Sequence, residues 1–227
     1  MKELLYELLM EDKTFIHVPF GDGFFDIYTS VVVTWGLMVV VIVAVILLTR
    51  NLKVHSISKR QAAVESAVVW LRGLAVSMLG EEAAGYSDYI ITVLIFIALS
   101  NMVGLFGFTP PTMDLNVTIA LAVMSIVLVE LAGILKKGPG GWLKSFAQPM
   151  AVIAPMNVLE LVIRPLSLCM RLFGNILGAT VIMELIKHVV PILLPAALSL
   201  YFDLFDGIIQ AYVFCFLTSL YIKEATE

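Results

Sequence analysis

Charged side chains are scarce in this chain, with Asp, Glu, Lys and Arg making up only 14% of 227 residues. A soluble domain needs a polar shell, and 60% hydrophobic residues with a mean hydropathy of +1.00 leave too little material to build one. That balance belongs to a polytopic membrane protein. Cysteine is nearly missing. Cys169 and Cys215 stand far apart in apolar runs, without a CxxC or a Cys/His cluster, so no disulfide framework and no zinc site is indicated. Both read as small buried hydrophobes. No glycine loop of the kind that cradles nucleotide phosphates occurs, and no basic patch offers itself to nucleic acid, so neither a catalytic site nor a cofactor is expected. The opening MKELLYELLMEDK is too polar and acidic for a secretory leader, and the N-terminus is expected to be mature sequence.

What the chain does have is long apolar stretches. About 20 apolar residues cross the hydrocarbon layer as a helix, and five stretches qualify: 28 to 49, 87 to 108, 116 to 135, 149 to 188 and 194 to 222. Between the first two, within residues 50 to 84, Val64, Ala67, Val68, Leu71, Leu74 and Ala75 recur at helical spacing beside a polar face, which predicts a surface helix. Cytoplasmic loops carry the excess of Lys and Arg. The first connection holds Arg50, Lys53, Lys59, Arg60 and Arg72, the second none, the third Lys136, Lys137 and Lys144, and the fourth only Lys187. This alternation puts residues 1 to 27 and the N-terminus outside and the C-terminus in the cytoplasm, in one membrane domain with no internal repeat. The KKGPGGWLK connection reads as a Gly/Pro turn. Forty residues at 1.5 Å rise would run about 60 Å against a core of about 30 Å, so the fourth stretch must tilt, break at Pro155 or Pro165, or both. With Pro191 and Pro195 at its turn, it forms an antiparallel hairpin with the last helix.

Within that hairpin, Arg171 lies about fifteen residues from either end of its helix, too far to snorkel. A charge at that depth costs about 2.5–3.5 kcal/mol on insertion scales, so it faces water or a partner. Steps of three and four from it gather Glu160, Arg164, Ser167, Asn175 and Gly178 on one stripe, with Gly174 and Gly178 as a GxxxG pair beside it. On the last helix the same spacing places Asp203, Asp206 and Gln210 on one side. A turn near residues 190 to 193 sets Gln210 level with Arg171 to within one turn, Asp203 opposite Gly178 and Thr180, and Glu184 further out. Bland readings stand beside these: Glu160 and Arg164 as a local ion pair, Glu130 at the interface, Asp206 as hydrogen-bonded structure, and His17, His55 and His188 as solvated boundary residues.

Together, PLSLCMRLFGNILGA, FDLFDGIIQAYVF, PTMDLNVTIALA and PMNVLELVIRP resemble subunit a of the F-type ATP synthase membrane sector, from the second spanning helix to the C-terminus. The resemblance implies a stator subunit beside a rotating ring of c subunits, with b-type peripheral stalk subunits, the whole ATP synthase and membrane lipids as partners, in a bacterial-type plasma membrane. It implies two offset aqueous half-channels that carry protons to and from the ring carboxylates. Arg171 would then be the essential arginine, Asn175 and Gln210 polar positions beside it, Glu160 the carboxylate of the inner half-channel, and Asp114 and Asn116 of DLNVT part of the lining. The chain departs from many relatives in having Thr180 nine residues after the arginine, where they carry glutamate, and Asp203 seven before the glutamine. Asp203 is therefore the leading candidate for the outer half-channel and Glu184 the reserve. A competing reading is a secondary transporter whose Arg171 binds an anionic substrate, although such folds often show inverted repeats.

Overall fold

The computed structural model describes residues 14–16, 27–50, 52, 58–81, 83–145, 154–189, 195 and 198–226. His17, Lys53, His55, most of the segment 1 to 27 and the turn expected at 190 to 193 lie outside the described residues. A short antiparallel ladder pairs Thr14–Ile16 (β1) with Ile27–Tyr28 (β2). The rest of the regular structure is helical: α1 (Thr29–Thr49), α2 (Lys59–Leu79), α3 (Ser87–Met102), α4 (Leu115–Ser145), α5 (Ala154–Val189) and α6 (Gly207–Thr226). Among the described residues, six helices are long and apolar enough to cross a membrane. The chain is an all-α membrane protein.

Each of the five apolar runs is largely helical over its described residues, and α2 is also long and apolar enough to span despite its charges. Ser58 caps α2 by accepting from the Gln61 amide at 3.2 Å, and Gly80, at φ 77°, ends it in a conformation that favours glycine. Arg60 donates to the Arg50 carbonyl at 2.6 Å, tying the start of α2 to the last turn of α1. The expected apolar face of α2 is only partly covered: Ala75 is buried, while Ala67 and Val68 are exposed.

α6 packs on both α3 and α4, and α5 lies mainly along α4. The interior between them is built from Ile90, Val93 and Ile97 of α3, Leu121, Ala122, Val129 and Ala132 of α4, Leu168 and Leu172 of α5, and Ala211, Phe214 and Cys215 of α6. Small side chains at several of these positions let helices approach closely where lipid supplies no hydrophobic drive. The hairpin partners α5 and α6 are antiparallel but touch sparsely, so they are braced through α4 more than by each other.

Three local features sharpen the sequence reading. First, of tilt and break as ways to fit the fourth stretch, α5 leaves only tilt, since it runs 36 residues without a break. Pro155 sits in its first turn, where no amide donor is needed, and Pro165 is tolerated inside. Second, the Gly/Pro turn lies within α4, where Gly138 at φ 73° kinks the helix before a last segment ending at Ser145. Third, α6 is preceded by a π-helical stretch, Leu200–Asp206, whose wider turn changes the angular phase of every side chain on it.

Candidate functional site

Arg171 is exposed on α5 and makes no hydrogen bond or ion pair among the described residues. One turn further along, the Asn175 amide donates to Asp206 Oδ2 at 2.7 Å and to Gln210 Oε1 at 3.3 Å. Gln210 is buried and is thus opposite Asn175, a turn beyond Arg171, as the depth estimate allowed. Ser167, Gly174 and Gly178 are exposed on the same helix, and a Cβ built on either glycine would meet nothing within 4 Å. The described residues of the chain leave that surface unpacked.

Two cavities that hold charged side chains lie toward opposite ends of α5. At the end formed by the α3 C-terminus, a cavity of about 500 Å³ is lined by Asp203, Glu184, Lys187, Thr180 and Gly104, among others. Glu184 pairs with Lys187 at 3.0 Å, and Thr180 turns its hydroxyl back to the Ile176 carbonyl at 2.9 Å. A narrow space of about 20 Å³ continues past Thr180, Ala179 and Asp203 to Asn175, Asp206 and Gln210. Asp203, Asp206 and Gln210 line this one narrow space together, as their spacing suggested. The π-helical stretch turns Asp203 toward Gly104, where an added Cβ would stand 2.9 Å from Oδ1, while Asp206 reaches Asn175. A side chain at Gly104 would make that carboxylate shift.

The opposite, lysine-rich end holds a cavity of about 350 Å³ lined by residues including Glu130, Lys137, Asn157, Glu160, Arg164 and Glu224. Arg164 does pair with Glu160, at 2.7 Å, but it also pairs with Glu224 of α6 at 2.8 Å. Glu130 is half-buried and accepts from Trp142 Nε1 at 2.8 Å across the kink in α4. Asp114 and Asn116 lie elsewhere: Asp114 accepts from Ser30 Oγ and, at 2.9 Å, from the Asn116 amide, so it caps α4 and fastens α1 to it. Asn116 itself is exposed.

The sequence reading passed over Asn101, Gly104 and Glu224. Asn101 is buried, donates to the Gly207 carbonyl at 3.0 Å and accepts from Thr112 at 2.7 Å, which pins the start of α6 beside Asp206. An amide within the apolar run of α3 was the available signal. Among the described residues no cluster of His, Cys, Asp and Glu is suited to hold a metal ion.

A family model described as ATP synthase A chain matches residues 31–223. The chain belongs to the ATP synthase subunit a family. Within this subunit a family it is 37% identical over 203 residues to ATP synthase subunit a of Moorella thermoacetica, covering 89% of this chain and 92% of the relative. It is 34% identical to ATP synthase subunit a 2 of Acaryochloris marina, over 90% of this chain and 88% of that one. A third relative, the sodium ion specific ATP synthase subunit a of Propionigenium modestum, is 33% identical over 88% of this chain and 74% of its own length.

Proposed function

We propose that this subunit a family member is the proton-conducting stator of an ATP synthase, passing ions between the cavities at the two ends of α5 by way of carboxylates on a rotating ring of c subunits. The observation that carries this reading is Arg171: a fixed cation, exposed and without a partner among the described residues, standing between cavities that hold charged side chains at opposite ends of α5. A guanidinium keeps its protons, so it favours an ionised carboxylate nearby without relaying the proton itself. A ring carboxylate that passes Arg171 gives up its proton toward one cavity and is recharged from the other, and the arginine blocks a direct leak between them. Asn175, Gln210 and Asp206 form the hydrogen-bonded flank of that passage. Asp203 is the principal acid of the outer path with Glu184 in reserve, Glu160 serves the inner path, and Asp114 with Asn116 contributes at the outer end of α4. Gly174 and Gly178 give the ring helices room to come close.

The chain has no catalytic site of its own in this reading and works within the whole enzyme, with b-type peripheral stalk subunits and lipid as further neighbours. It sits in a bacterial-type plasma membrane, N-terminus outside and C-terminus in the cytoplasm, with α2 along the cytoplasmic surface as the one helix of the six that does not cross. Support for the position of α2 comes from the Arg60 contact with the end of α1 and from the short link between Leu79 and Ser87, which opens α3.

The test is ATP-driven acidification of vesicles containing the whole ATP synthase in sodium-free medium. Arg171→Ala abolishes acidification while the chain still copurifies with the complex. Normal acidification by that variant would sink the assignment, and ATP-driven sodium uptake in place of acidification would overturn the choice of ion.

A further inference from the structure

At the lysine-rich end a single guanidinium nitrogen serves two helices. Arg164 Nη2 donates to Glu160 Oε2 at 2.7 Å on its own helix and to Glu224 Oε1 at 2.8 Å on α6, and the guanidinium stands 5.0 Å from the centre of the Tyr221 ring. The arginine side chain is 18% exposed, whereas those of Glu160 and Glu224 are 48% and 55% exposed. The cation therefore lies beneath, and both carboxylates open to the cavity of about 350 Å³. A fork-to-fork pair would give each carboxylate oxygen its own donor. Here one nitrogen is divided between two acids, which leaves the pair with one negative charge in excess of its cation. The other charged groups lining the cavity come from α4: Glu130, committed to Trp142, and Lys137.

We propose that Glu224 is a second proton-exchanging acid of this cavity, held beside Glu160 by Arg164 as a positioning residue. The proposal rests on the proton-conducting reading. A proton from cavity water forms an O–H bond on Glu224 while Arg164 keeps its bond to Glu160. Release breaks that O–H bond and passes the proton to Glu160 or back to water, and the guanidinium retains an anionic partner throughout.

Glutamine at position 224 separates this role from a helix clasp, because its amide oxygen still accepts from Arg164 but exchanges no proton. In vesicles of the whole ATP synthase with the lysine-rich face toward the medium, ATP-driven acidification is followed as the medium pH is varied. General acid–base groups typically contribute about 100-fold or more, and with Glu160 still present Glu224→Gln is expected to slow acidification about tenfold and change its pH profile. Glu224→Asp recovers most of the rate, and Arg164→Lys keeps more of it than Arg164→Gln. A parental rate and pH profile in Glu224→Gln overturns the proposal, as does an equal loss in Glu224→Asp with the profile unchanged, which is the mark of a clasp. Arg171→Ala in the same vesicles tells the two ideas apart: if it stops acidification while Glu224→Gln has no effect, only the role of Glu224 fails.

Discussion

Arg171, Asn175 and Gln210 were legible in the sequence because a polar group in an apolar run stands out without any knowledge of its neighbours. Asp203, Asp206 and Gln210 line one narrow space, as their spacing suggested, while the π-helical stretch that carries both aspartates left no mark in that spacing. Glu224 escaped for the opposite reason. In the run YIKEATE it looks like part of a solvated tail, and its partner Arg164 is 60 residues away in the chain. The separation of Asp203 and Glu184 yields a measurable ranking. Asp203 lines both the wide cavity and the narrow space leading to Asn175, whereas Glu184 lines only the wide one and is paired with Lys187. Asp203→Asn is accordingly expected to slow ATP-driven acidification more than Glu184→Gln does, and the reverse order would transfer the principal role to Glu184.

The helices followed from hydropathy, and the ends expected at residues 28, 49, 87, 116 and 188 fall within one residue of those observed, because about 20 apolar residues leave the backbone no other way to satisfy its polar groups in lipid. Their interruptions did not follow. Pro165 was a candidate break, yet α5 continues through it, braced along α4. Gly138 bends α4 where a terminal turn was expected, and that bend brings Trp142 back to Glu130. The junction of α3 with α6 depends on one amide. Asn101→Ala strands the buried Thr112 hydroxyl, at a cost of about 1–3 kcal/mol for the unsatisfied group, and removes a second donor from the Gly207 carbonyl, which keeps its bond within α6. The expected result is a lower thermal midpoint for the purified complex, with a loss of acidification because Asp206 sits next to Gly207. An unchanged midpoint would show that water replaces the amide.

The arrangement of charged loops across the membrane was read from lysine and arginine alone, and it can be checked directly. Lys137 lines the cavity at one end of the bundle and Glu184 the cavity at the other. In sealed vesicles, Lys137→Cys and Glu184→Cys are expected to react with a membrane-impermeant maleimide from opposite sides, Lys137→Cys from the cytoplasmic one. Both native cysteines are buried and give a low background. Reaction of the two variants from one side would discard the orientation and the crossing number with it.

The unbroken length of α5 has a geometrical consequence. A helix of 36 residues is about 54 Å long, and held wholly within a layer about 30 Å thick it would incline about 56° from the normal. Its 24-residue step from Glu160 to Glu184 would then climb about 20 Å while travelling about 30 Å sideways. Such a helix would be a ramp. In the proposed function, openings at its two ends would then face different sectors of the rotating ring, and the lateral distance between entry and exit would arise from slope alone, with no bend needed to create it.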